Sequence, residues 1–196
     1  MADTRLQVNL ASRIIQDGNY DDFACGQQRD FSIEFWHDDT LTPLGQESPK
    51  SVVLTADSLL QVTAEVVVCT DTWYAIDFGV TAFREQRPTD AIRLGQTVSG
   101  SIALGIDPFF YMEYLHRDAA AVPMIYSWRI DRIQMQTAPF IESTQKGIGK
   151  VLVRDPAQIG WKDIRATEAW TDDDGSAEYL LDILLLDAKP KRRGDE

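Results

Sequence analysis

Hydrophobic and polar side chains alternate through most of the middle of the chain. Between residues 60 and 69, Leu60, Val62, Ala64, Val66 and Val68 interleave with Gln61, Thr63, Glu65 and Cys69. A period of two rich in β-branched residues predicts a half-buried strand, because successive strand side chains point to opposite faces. After a polar break at 70–72, a second run places Tyr74, Ile76, Phe78, Val80 and Ala82 on one side and Asp77, Gly79 and Thr81 on the other. Val98, Gly100, Ile102 and Leu104 predict a third strand. Tyr126, Trp128 and Ile130 predict a fourth, within 124–133, against Ser127, Arg129 and Asp131. Between these two, Asp107-Pro108 precedes an apolar stretch at 109–116. Asp at an N-cap and Pro at the first helical position favour a helix start, so a short buried helix is expected there.

The flanks carry the same alternation. Phe31, Ile33 and Phe35 interleave with Ser32, Glu34 and Trp36, and Leu6, Val8 and Leu10 suggest an opening strand. Pro43, Gly45 and Pro49 mark a long loop at 41–50. Near the C-terminus, strand candidates at 162–170 and 179–186 flank Asp172-Asp173-Asp174-Gly175, and an Asp-Gly pair between two strands signals a hairpin; the alternative is a helix for the last run, with Leu180, Ile183 and Leu184 on one face.

These elements predict an all-β chain, mainly β with one short helix. Three strands, a helix and a strand follow the order of a five-stranded Greek-key barrel, and the plan resembles that of the OB-fold. Residues 135–141 or 151–154 are the candidates for the fifth strand, and a β-sandwich is the alternative architecture. The expected organisation is a single domain over 1–196. Its barrel-like core lies at 58–154, flanking strands at 1–47 and 158–187 pack on that core, and 188–196 form a tail.

Composition narrows the function classes. A chain of 196 residues that is 44% hydrophobic, with five Trp, six Tyr and eight Phe, can bury a substantial core without covalent staples. The two cysteines, Cys25 and Cys69, have no metal-ligand spacing and read as reduced thiols. The N-terminal residues do not resemble a signal peptide, and the longest C-terminal apolar run, 183–186, is far too short to span a bilayer. A cytoplasmic protein without a membrane partner is therefore the expectation. With 19 basic and 31 acidic side chains the net charge is −12. That disfavours nucleic acid, where neutralised phosphates supply most of the affinity, and it suits a basic protein partner.

No motif assigns a catalytic residue, a cofactor or a metal. His116-Arg117-Asp118 spells the start of a kinase catalytic loop, but Pro123 stands where the metal-binding Asn belongs. Gly147-Ile148-Gly149-Lys150 lacks both the earlier Gly and the following Ser or Thr of a phosphate loop. For binding, Trp36 and Trp73 fall on the polar register of their strands, where they are either exposed, as Trp at hot spots is, or buried in a second layer under the flanking strands. His37, Asp38 and Asp39 follow Trp36, and Asp77 lies on the polar side of the second strand. The candidate binding set is thus Trp36, His37, Asp38, Asp39, Trp73 and Asp77. The leading expectation is a non-enzymatic interaction module for a basic partner, one version being the neutraliser of a basic toxin or nuclease. A carboxylate-dependent enzyme or sugar-binding barrel comes second and requires a pocket with paired carboxylates beside a Trp. Single-stranded nucleic-acid binding through Arg84, Arg87, Arg93, Arg129 and Arg132 comes last.

Overall fold

The computed structural model describes residues 4–36, 41–46, 48–55, 58–145, 147 and 149–194. Strand β1 (Arg5–Ala11) runs into a one-turn helix α1 (Ser12–Gln16). Strands β2 (Gln28–Phe31), β3 (Ile33–Trp36), β4 (Thr42–Pro43) and β5 (Ser51–Leu54) precede the long β6 (Leu60–Cys69). Next come β7 (Tyr74–Asp77), β8 (Thr81–Arg84), β9 (Thr97–Ile106) and helix α2 (Phe110–Glu113). The chain continues with β10 (Tyr126–Gln136), β11 (Phe140–Gln145), β12 (Gly149–Arg154), β13 (Trp161–Ile164) and β14 (Glu178–Leu185).

Five of these strands close on themselves. β6 pairs antiparallel with β7, β7 with β8, and β8 in parallel with β3 through Ile33↔Ala82. β3 then pairs with β9 through Phe35↔Leu104, and β9 returns to β6 through Val62↔Gly100. The architecture is therefore a closed barrel and not a sandwich. Its interior holds the alternating residues of each strand: Val62, Ala64, Ile76, Ala82, Ile33, Phe35, Ile102 and Leu104 are all buried in one cluster. The flanking strands extend this barrel in the order β13-β10-β14-β1-β9, with β2 on the edge of β10. Leu6, Val8, Trp128, Ile130, Tyr179 and Leu181 from those strands join the same cluster.

Three expectations from the sequence need correction. The fifth barrel strand is Ile33–Trp36, not 135–141 or 151–154, and the strand at 126–136 lies in the flanking sheet. The run from Tyr74 to Ala82 is two barrel strands, because Gly79 takes φ 111° and turns the chain. Asp77 Oδ1 accepts the Gly79 N–H at 2.8 Å in that turn, while Phe78 and Val80 stay buried on either side. Finally, β13 and β14 do not form a hairpin with each other, since β10 lies between them. Their connection is a longer arch, in which Asp173, Asp174 and Gly175 all have positive φ. The Asp22 carboxylate pins it by accepting from Thr167 Oγ1 and the Ala169 N–H.

The expected helix is present but shorter. Asp107 caps it from a distance: its carboxylate accepts the Tyr111 N–H at 3.3 Å and the Met112 N–H at 3.2 Å. Phe109 has φ 81°, so the helix begins only at Phe110, and a 3₁₀ turn over Leu115–Arg117 completes the segment. Tyr111 and Leu115 pack beneath it with Trp73, Phe83 and Met124 in a second, smaller core.

Trp128 is fully buried, stacks on Phe31 with ring centroids 5.9 Å apart, and donates its indole N–H to the Phe31 carbonyl. Trp128→Ala should destabilise the chain by about 3–5 kcal/mol, the usual cost of a large aromatic-to-Ala cavity, measured as a lowered urea midpoint.

Candidate functional site

Strand alternation sets Glu34 and Trp36 on the outer face of β3, opposite Ile33 and Phe35 in the barrel interior. Across the ladder Glu34 faces Gly105 and Trp36 faces Ala103. On its other edge Gly105 meets Asn9 of β1, and Ala11 of β1 faces Glu178 of β14. Two flanking strands thus bring Asn9 and Glu178 to the outer wall of the barrel, and α1 adds Arg13 and Ile14. The result is a pocket of about 290 Å³ lined by Glu34, Trp36, Asn9, Arg13, Ile14 and Glu178. Gly105 makes room for it. A Cβ there would lie 2.6 Å from the Trp36 ring and 3.3 Å from Glu34 Oε1, so only glycine lets the indole and carboxylate lie down on the sheet.

Glu34 dominates the electrostatics of this pocket. Its carboxylate has no hydrogen bond or ion pair among the described residues. Burial pushes its pKa up to about 7, the nearby Asp107 charge adds to the rise, and Arg13 opposes it. Glu178 reaches solvent at the rim, yet desolvation by the surrounding protein raises it too, against the opposing charges of Arg13 and Arg154. Asn9 donates its side-chain N–H to the Leu104 carbonyl at 2.9 Å, which fixes its amide. The pocket therefore offers two carboxylates of reduced acidity, the indole of Trp36 (a residue 37% exposed), an amide and one guanidinium.

The six residues expected at the site divide between several places. Trp36 lies in this pocket. Trp73 lies elsewhere and is buried, donating its indole N–H to Asp118 at 2.9 Å under the second core. Asp77 belongs to an ion cluster, 2.6 Å from Lys50 Nζ, which also reaches Glu65 at 3.0 Å. His37, Asp38 and Asp39 lie outside the described residues. Among the other tryptophans, Trp170 is 70% exposed in the arch between β13 and β14. Glu34 was detectable in the sequence, since it shares the register of Trp36. Asn9, Arg13 and Glu178 were not, because only long-range strand pairing brings them to the pocket.

Elsewhere, Cys25 and Cys69 are free thiols. Among the described residues no group of three or more His, Cys, Asp or Glu is placed to hold a metal ion. No helix among them is long and apolar enough to cross a membrane. Comparison found no matching family model, no similar curated protein and no similar solved structure, so the pocket is interpreted from its own chemistry.

Because the pKa of Glu34 is higher folded than unfolded, the folded chain holds its proton more tightly. Stability from this group is present below about pH 4.5 and is lost as pH rises through about 7. Glu34→Gln should therefore match the parent at pH 4.5 and exceed it by roughly 1–3 kcal/mol at pH 8 in urea denaturation. Asp107→Asn should lower the Glu34 pKa by removing a neighbouring charge, read from the pH titration of the Glu34 carboxyl ¹³C signal.

Proposed function

We propose that the chain is a non-enzymatic interaction module that takes a cationic side chain of a basic partner into the Glu34–Trp36–Glu178 pocket. The observation that carries this reading is the Glu34 carboxylate, which has no hydrogen bond or ion pair among the described residues and lies beside an exposed indole. Arg13 lines the pocket without an ion pair to Glu34, so a lysine ammonium or arginine guanidinium supplies the hydrogen-bonded cation that Glu34 lacks. It neutralises the carboxylate by charge-assisted hydrogen bonds and lies against the electron-rich face of Trp36. The net charge of −12 draws such a partner in. The OB-like plan belongs to this reading as well. Small closed barrels of that plan bind ligands on their outer strands and loops, and the pocket lies on an outer strand face.

A carboxylate-dependent enzyme or a sugar-binding barrel is the second reading. It is favoured by the near-neutral pKa of Glu34 and by the Asn9 and Arg13 donors around it. Nucleic-acid binding is the weakest. Arg129 is paired with Asp131, and Arg132 with Asp163 and Asp182, which removes them from any basic stripe with Arg84, Arg87 and Arg93.

N-acetylarginine amide, titrated into the ¹⁵N-labelled protein, tests the proposal. Shifts should appear at the Trp36 indole and at Gly105, and affinity should strengthen as pH rises from 6 to 8 and Glu34 ionises. Glu34→Gln should reduce the pH dependence, leaving only what Glu178 contributes, and weaken binding roughly tenfold. Binding that ignores both pH and Glu34→Gln would refute it.

A further inference from the structure

Among the described residues the large sheet ends in β13 and β5, and β2 and β4 pair on one side only. Open strand edges invite pairing with other chains, and proteins commonly guard them with charge or proline. Three of these four are guarded: β13 carries Lys162 and Asp163, β2 carries Arg29 and Asp30, and β4 ends in Pro43. β5 reads Ser51-Val52-Val53-Leu54, with neither charge nor proline, and Val53 and Leu54 are 60% and 51% exposed. Lys50 precedes it but is tied to Glu65 and Asp77.

The direction of the free edge follows from the ladder. Thr55 donates its N–H to the Leu59 carbonyl at 2.8 Å, next to the pairs Leu54↔Leu60 and Val53↔Gln61. Antiparallel alternation then turns the N–H and C=O of Val53 toward β6 and those of Val52 and Leu54 outward. These same two residues line a mostly apolar pocket of about 290 Å³ with Leu6, Leu60 and Ile183, to which Arg5, Gln7 and Asp182 also contribute. An open hydrogen-bonding edge and an apolar socket thus share Val52 and Leu54.

We propose that β5 accepts an extended segment of a basic partner as an added strand. The segment hydrogen-bonds to Val52 and Leu54 and lodges one apolar side chain in the socket, the mode of recognition by strand addition. A second copy of this chain fits the edge poorly. Pairing two four-residue edges buries far less than the roughly 1,200 Å² of a stable interface. It would also bring together two chains that each carry a net charge of −12. A lysine-bearing segment is attracted by that same charge. The proposal uses no residue of the Glu34 pocket, so the two readings fail separately.

The test uses the full chain and the peptide amide Lys-Leu-Lys-Val-Lys-Leu-Lys, beside the same peptide N-methylated at alternate backbone nitrogens. Amide shifts should centre on 51–54, and N-methylation should weaken binding roughly tenfold or more by removing the ladder bonds. Leu54→Pro removes an outward N–H and no bond to β6, so it should fold and bind with a similar loss. Val53→Lys places a guarding charge on the exposed edge and should also weaken binding. Equal affinity for the N-methylated peptide, undiminished binding by both variants, shifts confined to other strands, or no binding at all would overturn the proposal. So would concentration-dependent dimerisation without peptide that perturbs the same amides, which would assign the edge to a second copy.

Discussion

The buried carboxylate of Asp107 joins the barrel, the helix and the pocket. It accepts the Ser32 hydroxyl at 2.7 Å and the helix N–H groups of Tyr111 and Met112, while its own N–H donates to the Ser32 carbonyl. Its carbonyl receives the Tyr20 hydroxyl. Ser32 directly precedes β3 and Asp107 directly follows β9, so this cluster ties together the two strands whose pairing closes the ring. A carboxylate here is costly. Burial raises it to about 6, and the donors around it hold it below the value that desolvation alone would give. The same donors would be left unsatisfied by an apolar residue at this position, which is why an acid fits where Leu or Val would not.

The charge has a second consequence one strand away. Asp107 contributes to the raised pKa of Glu34, so the group that closes the barrel also reduces the acidity of the pocket outside it. Glu34 has no hydrogen-bonded partner among the described residues to compensate for its desolvation. Structural carboxylates in this chain are handled differently: Asp131 meets Arg5 and Arg129, and Asp30 meets Lys191 and Ser127, and both titrate below the ordinary value. A carboxylate kept without such partners beside an exposed indole costs stability. In the proposed reading that cost is offset when an external cation binds, and unpartnered buried carboxylates of this kind cluster at functional sites.

Local alternation made the long strands legible. β6 buries every second residue along its whole length and β10 does so from Tyr126 to Ile130, while β9 and β14 also bury runs of consecutive residues and were legible from their apolar, strand-like composition. Ring closure was not legible, because Ile33↔Ala82 and Phe35↔Leu104 join segments far apart in sequence, and the four-residue β3 is no more marked than its neighbours. The short helix was placed correctly by Asp107-Pro108, but the left-handed Phe109 delayed its start. The Asp-Gly signal near the C-terminus was misleading for a similar reason. Three successive residues of positive φ make an arch fastened to Asp22 and Arg154, and β10 takes the place between the strands. At the pocket, Trp36 was visible from its register, whereas Glu178 and Asn9 depend on β1 lying between β14 and β9.

Charge and edges then act at different ranges. Many of the basic side chains are already engaged: Lys50, Lys150, Lys191, Arg5, Arg129, Arg132 and Arg154 all form ion pairs with carboxylates. The unbalanced charge is therefore carried by carboxylates facing solvent. At physiological ionic strength their field fades over about 8 Å, so it guides a basic partner only on close approach and cannot hold it. Holding requires short-range contacts, and the two proposals supply two kinds: a carboxylate–indole pocket that would take a cation, and an unguarded strand edge that would take a backbone. One partner segment that reached both would make the second contact at a raised effective concentration, and its affinity would exceed that of either contact by itself.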